Sequence, residues 1–469
     1  MASNANPPGQ ETGLGKTGLI PEYWQAIPSF SPSMRRFLLS MSLGLFTSFG
    51  LQPVLQNLYL LRLGFDVQFI GLLAGVGQIV WAAAALPSAM LGNRMGLRNS
   101  QLLGCALFAL GMALLLTVGS VPESQWRLWL MISQVIFWCG VALLTVNGAP
   151  YIMAVTNERE RRHAFSVYAA TTPTVAFVGS LVGGGLPELF VNRFGFSLDQ
   201  PDPYRLALWP GVILVCGSIA ILAAADPAYV HRQESRERSD ARAPLFLLAF
   251  IGLLSLLSSL SGGALRTFFN VYLDSGLGMT PSTIGSVLGF AQLLPIGAAL
   301  AVPLLANRLG IGYAVLASLA ATALFLAGLA VTSLVWVVIL MYIFVVATQT
   351  IANTTRGIFG QELFDARWRT SSQSISVVGG ALGWALAGIG GGALIQASGF
   401  AALYFVCALC TLLAAGLLYA YLRLSGEKPA AMAEAVTLAA EAIAPLGQPA
   451  LDPGLVGGTT SVVEKTSAA

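Results

Sequence analysis

"LGNRMGL" occupies Leu91–Leu97, and "LANRLGI" occupies Leu305–Ile311, 214 positions further on. Leu, Asn, Arg and Gly recur in the same places, and each copy closes a long apolar run. A glycine there allows the sharp reversal that a short loop requires. The arginine leaves the apolar run at a helix C-terminus, where a cation complements the helix dipole. One helix–turn–helix joint is written twice, so the whole chain has to be read for a repeat.

The repeat extends in both directions. "NLYL" (57–60) matches "NVYL" (270–273) at an offset of 213, and "IGLLAGVGQIV" (70–80) matches "IGSVLGFAQLL" (284–294) at 214. Gln78 therefore corresponds to Gln292. Further along, Gly183–Gly185 matches Gly390–Gly392 at 207, which sets Arg162 on Arg369 and Glu158 on Asp365. Small changes of offset are what loop insertions produce.

Composition supplies the environment. Of the 469 residues, 56% are hydrophobic and 10% charged, with a mean hydropathy of +0.74. A soluble domain carries about 25% charged residues, so most of this chain belongs in a bilayer. A span needs about 20 apolar residues. By that rule twelve segments start near Met34, Gln68, Ser100, Arg127, His163, Arg205, Pro244, Thr283, Gly312, Ser333, Ser371 and Ala401. The polar stretch "DPAYVHRQESRERSDAR" (226–242) divides them six and six. The expected organisation is a polar segment 1–33, a six-helix half 34–225, a central loop 226–243, a second half 244–422 and a flexible tail 423–469. An even number of spans makes the two halves parallel repeats. The fold class is all-α integral membrane.

Loop charges set the orientation. With the N-terminus inside, nineteen of the 24 Lys and Arg residues are cytoplasmic, Arg356 among them. Arg62, Arg127, Arg193, Arg205 and Arg266 are the five at or near the outer face. Both termini are then cytoplasmic, and the protein is a multi-pass protein of the cytoplasmic membrane. The first thirty residues lack the short apolar core of a signal peptide, so the first span itself directs insertion.

Over about residues 34 to 422 the chain resembles the major facilitator superfamily. The family's signature between helices two and three is Gly, three residues, Asp-Arg, any, Gly, any, Arg or Lys. Ala89, Asn93, Arg94, Gly96 and Arg98 occupy those places here, so the leading Gly and the Asp differ. The second half keeps Asn307, Arg308 and Gly310. The resemblance implies alternating access, with substrate near the midplane between the halves, and a gating role for these turns. Asn93 can hydrogen-bond but cannot hold a charged latch. Symmetry further suggests that Arg94 approaches Glu158 and that Arg308 approaches Asp365.

Several chemistries find no residues. Cys105, Cys139, Cys216, Cys407 and Cys410 all lie in apolar runs without metal-ligand spacing and read as packing residues. "GQETGLGKTG" (9–18) has Gln10 where a phosphate loop needs its first Gly, and no strand precedes it. No zinc-protease motif or nucleophile elbow occurs. The chain is read as no enzyme, with no cofactor, no metal and no nucleic-acid partner. None of the 21 Asp and Glu residues falls in a membrane core. Asp66, Glu188 and Asp274 sit at outer ends, and Asp226, Glu362 and Asp365 at inner ends. His163 and His231 fall in cytoplasmic turns. Proton-coupled carriers generally use an intramembrane carboxylate or His, so proton coupling is disfavoured. Ile136 stands where the resemblance to proton-linked drug exporters would place a helix-four Arg.

Binding must then rest on amides, hydroxyls and one arginine. Gln52, Gln56 and Tyr59 share one face of helix one, and Gln349, Asn353 and Arg356 one face of helix ten. Asn147 and Tyr151 share a face of helix four, while Gln78 and Gln292 lie at mid-depth of helices two and eight. Any one of these amides also reads as an interhelical hydrogen bond. Arg266 lies four residues before Asn270 in "SGGALRTFFNVYL". It reads either as a cation snorkelling to the outer interface or as one facing the cavity, for an anionic substrate or for Asp274. Glycines on helices five and eleven read as close-packing positions.

The expected function is a secondary transporter for a small molecule, and drug or metabolite export is the role that the resemblance favours. An uncoupled facilitator or an uptake permease for a neutral or anionic metabolite is the alternative in transport. A membrane scaffold or receptor that kept the fold is the alternative of another class. The partners are the substrate and membrane lipid, with the monomer as the working unit.

Overall fold

The computed structural model describes residues 30–227, 244–365 and 367–426. Most of the central loop, the phosphate-loop-like stretch and most of the C-terminal tail lie outside them, as does His231. Among the described residues every regular element is helical. The first half comprises α1 (Pro32–Arg62), α2 (Val67–Met95), α3 (Leu97–Leu116), α4 (Trp126–Val155), α5 (Glu158–Phe194) and α6 (Asp202–Ala223). The second begins with α7 (Leu245–Gly276) and α8, built from Pro281–Ala291 and Leu294–Leu309. It continues with α9 (Ile311–Val331) and α10 (Val335–Glu362). A final 57-residue helix, Arg369–Ser425, is broken at Gly399, where φ is 82°. At 1.5 Å per residue it would reach about 86 Å, far beyond a hydrocarbon core of about 30 Å. It is therefore two spans, α11 (369–398) and α12 (399–425).

Among the described residues ten helices are long and apolar enough to cross a membrane, and the bent α8 makes eleven. The break at Gly399 brings the crossings to twelve. Helix starts fall within five residues of those read from hydropathy, the widest gap lying between His163 and Glu158. His163 accordingly sits inside α5 rather than in a turn. Local chemistry explains several boundaries. Ser31 caps α1 by accepting from Met34 N, with Pro32 in the first turn, and Asp66 caps α2 by accepting from Phe69 N at 2.7 Å.

The two turns that opened the sequence are conformational copies. Gly96 has φ 84° and ψ 153°, and Gly310 has φ 81° and ψ 154°. A side chain at either position would be strained at that φ. The repeat thus preserves a backbone shape, and Asn93, Arg94, Asn307 and Arg308 are all exposed around it.

Packing differs between the two ends of the bundle. At the end bearing these turns, called here the basic face, each half has its own apolar cluster. Met34, Phe37, Leu97, Tyr151 and Leu222 form one, and Leu248, Val315, Phe359, Leu418 and Leu422 form the other. Towards the opposite face a single cluster runs through both halves, joining Leu51, Leu58 and Tyr204 to Phe268, Ile284 and Tyr404. Two glycine crossings bring the halves together there. A Cβ on Gly184 of α5 would lie 2.9 Å from Gly285 Cα of α8, and one on Gly388 of α11 would lie 2.8 Å from Gly71 O of α2. Those distances admit no side chain, so glycine is what lets the backbones meet.

Candidate functional site

Most of the hydrogen bonds that join the halves gather at the opposite face. Asn57 of α1 donates to Asn270 Oδ1 at 3.2 Å and to Thr267 O at 2.6 Å, while Asn270 donates to Pro53 O at 2.8 Å. Asn57 and Asn270 are repeat equivalents, so symmetry brings a residue onto its own counterpart. Beyond them, Arg62 forms a two-pronged ion pair with Asp274, at 3.0 and 2.8 Å, and donates from Nε to Leu198 O. Across α5 and α8, Ser282 Oγ donates to Glu188 Oε1 at 2.6 Å. Asp274 is therefore the partner of Arg62 and not of Arg266.

Below this closure lies a chain of three cavities of about 100, 160 and 370 Å³. Phe49, Arg266 and Trp384 line all three. Arg266 is thus the hub, and it faces the cavity rather than an interface. Its guanidinium carbon stands 4.5 Å from the Phe49 ring centroid and 5.9 Å from that of Trp384, and Nη2 donates to Ser48 O at 3.4 Å. Phe49 belongs to a π-helical stretch, Phe46–Leu51, which interrupts the regular turn of α1 next to the cavity.

The largest cavity extends from Arg266 towards the basic face, past Gln78, Trp81, Trp138 and Thr145 on one side. Asn353, Arg356, Gln373 and Ser376 line the other side. Arg356 donates to Ser258 Oγ and, at 3.1 Å, to Asn353 Oδ1. The count of cytoplasmic basic residues places Arg356 outside the membrane, and the structure does not. The residue lies within α10, nearly two turns before that helix ends, and faces the cavity. Among the described residues that line the three cavities there is no Asp or Glu.

The residues expected at a substrate site separate into two groups. Gln52, Gln56, Gln78, Arg266, Asn270, Gln292, Gln349 and Asn353 all lie on the cavities. Several are already engaged: Gln52 donates to Gln56, and Gln349 donates to Ser261 Oγ at 2.9 Å. Asn147 and Tyr151 do not belong with them. The Asn147 amide donates to Ser88 O, Ser100 Oγ and Leu143 O, at 2.9–3.1 Å, and so knits α2, α3 and α4 beneath the first turn. Tyr151 is fully buried and stacks on Phe37, with ring centroids 4.6 Å apart. Tyr59, too, is buried in the core.

The turn residues are placed as follows. Arg98 donates to Ala225 O at 2.8 Å, tying the turn to the end of α6. Asp365 pairs with Arg367 at 3.2 Å instead of Arg308. The side chain of Glu158 lies outside the described residues, and so does its expected pairing with Arg94. Trp384 and Trp138 are cavity residues that the sequence does not point to, and Arg356 lines the cavity without belonging to the expected cytoplasmic set alone. The usable signal for Arg356 was its place on the face of Gln349 and Asn353.

Two six-helix halves, joined at one face and parted around a polar cavity that opens towards the other, define a membrane carrier. The Major Facilitator Superfamily profile matches residues 37–388, well over half of the chain, and the chain belongs to that family. It is a multi-pass membrane protein of that family. The methyl viologen resistance protein SmvA of Salmonella typhimurium is 29% identical over 183 residues, which are 39% of this chain and 32% of that protein. The chain thus matches about a third of that relative's length. Among solved structures it is similar to the nucleoside transporter NupG, with a TM-score of 0.68, 15% identity and coverage of 83% of this chain and 99% of that one. It is similar also to a D-xylose-proton symporter, with a TM-score of 0.63, 14% identity and coverage of 85% and 97%. At those identities the likeness is one of fold.

Proposed function

We propose that the protein carries its substrate by rocking the two six-helix halves about the cavity centred on Arg266, and that the state described opens to the cytoplasm. The observation behind this reading is the asymmetry of contact. The halves share a core, an ion pair and two glycine crossings at one face, and keep separate cores at the other. The excess of Lys and Arg at the turn-bearing end supports a cytoplasmic basic face, with both termini on that side. The division of the chain at 226–243 follows the same line. Closing the basic face would bring Asn93, Arg94, Asn307 and Arg308 towards the opposing half, which is the gating role proposed for the two turns. The cavity is complete within one chain, so the monomer is the proposed working unit.

Export is the proposed direction, supported by the resistance in the relative's name. That name does not carry the substrate across. Methyl viologen is a dication, and two arginines without a carboxylate repel a cation.

The test is labelling of a single cysteine, Ser376→Cys, in a cysteine-free background. A membrane-impermeant maleimide should react with it from the basic face and only slowly from the other. Reaction from the opposite face alone would overturn the assigned state.

A further inference from the structure

The chain distributes its carboxylates in a way that bears on the substrate. Arg62, Arg205 and Arg367 pair with Asp274, Asp202 and Asp365, at 2.8, 2.8 and 3.2 Å. These three lie at helix ends or in loops, where water could have solvated them. Arg266 and Arg356 lie within spans, where an uncompensated charge costs most, and they donate to neutral groups: Ser48 O, Ser258 Oγ and Asn353 Oδ1. A guanidinium has five N–H donors in a planar fork suited to a carboxylate or a similar oxyanion. Both cations keep donors in reserve, and both border the cavity of about 370 Å³.

The walls of that cavity complete the picture. Trp81 and Trp138 come from the first half, Trp384 from the second, and Phe49 covers the apex. Trp81 is held in place by donating to Thr145 Oγ1 at 3.2 Å. Flat, rigid aromatic walls favour a flat apolar body, and the volume falls in the range of ligand pockets, about 300–1,000 Å³. A small inorganic anion would leave these walls uncovered. A neutral polyol would leave two half-buried cations without a counter-charge, and a cation would be repelled.

We propose that the substrate is an amphipathic organic anion, a carboxylate or sulfonate carried on a flat ring system. The second half grips the anionic group through Arg266 and Arg356, and the first half receives the ring body at Trp81 and Trp138. This assignment rests on the central cavity being the transport site. When the halves rock, the anion stays on the second half while the aromatic walls of the first slide over it.

Three probes that share one ring body test the charge preference on the purified full-length chain: naphthalene carboxylate, naphthalene carboxamide and naphthyl trimethylammonium. Binding is read by quenching of tryptophan fluorescence and by the thermal unfolding midpoint, which rises with a ligand that binds only the folded state. The carboxylate should bind at least about tenfold more tightly than the carboxamide, and the ammonium should not bind. Arg266→Gln and Arg356→Gln should each weaken the carboxylate by about tenfold or more and the carboxamide by at most about threefold. A misfolded variant would lose both ligands. Arg266→Lys should recover only part of the loss, because lysine lacks the planar fork. Equal binding of carboxylate and carboxamide, preference for the ammonium, or no binding of the carboxylate would each overturn the proposal. Labelling of Ser376→Cys needs no ligand, so it reports separately on the transport reading.

Discussion

Arg62 of α1 and Asp274 of α7 face each other across the interface of the two halves, joined by both guanidinium arms at 3.0 and 2.8 Å. The pair closes the face away from the repeated turns, and the Asp274 side chain is only 7% exposed. Opening that face must break it. A buried ion pair is costly to leave half-broken, so it weights the balance between states as well as the stability of either one.

Asp274→Asn should therefore shift the balance towards the state open at the opposite face, by about 1–3 kcal/mol or roughly five- to a hundred-and-fiftyfold in population. Faster maleimide labelling of Ser376→Cys from that face would register the shift. The charge-swapped pair Arg62→Asp with Asp274→Arg should return the rate towards its starting value. An unchanged rate in Asp274→Asn would remove the latch role.

Asn147 makes the contrasting case of a polar residue that holds the fold together. Asn147→Ala strands the acceptors on Ser88 and Ser100 beside the first turn, and should lower stability by about 1–2 kcal/mol. Thermal unfolding of the purified protein should show this, while naphthalene carboxylate affinity stays within about twofold. A large loss of affinity at unchanged stability would return Asn147 to the substrate site.

These two residues mark what the sequence could and could not convey. The spans were legible because a bilayer demands about 20 apolar residues each time, and the repeat because a turn with positive φ requires glycine at both Gly96 and Gly310. The pairing of Asn57 with Asn270 was half legible. Their equivalence stands in "NLYL" and "NVYL", whereas their contact depends on which face of the bundle is closed. Asn147 looked like Gln78 because an intramembrane amide carries no mark of whether it faces a cavity or a neighbouring helix. Arg356 reads from the sequence in two ways, on the helix-ten face of Gln349 and Asn353 and among the cytoplasmic cations, because positive-inside counting assigns an arginine near a helix end to water. Trp384 sat unnoticed in a glycine-rich helix whose small residues pointed to packing. The partner of Asp274 could not be read at all, since no local pattern ties α1 to α7.

Proton coupling offers a third test. The described cavity walls contain no carboxylate, Asp66 caps α2 and Asp274 is engaged by Arg62. Uptake of naphthalene carboxylate into proteoliposomes at constant internal and external probe concentration should change by less than about twofold when a pH difference is imposed. Strong stimulation that disappears in Asp66→Asn or Asp274→Asn would show that acids at helix ends carry the proton.

The account rests most heavily on the claim that the two faces open in opposition. Spin labels report this as two distance distributions, one from cysteines replacing Arg94 and Arg308 at the basic face, the other from cysteines replacing Asp199 and Ser275 at the opposite face. In an otherwise unaltered, cysteine-free chain the first distribution should be long and the second short. Adding Asp274→Asn should populate a shorter distance at the basic face and a longer one at the opposite face in the same sample. Distances that stay fixed at both faces, or that lengthen together, would contradict alternating access in this protein.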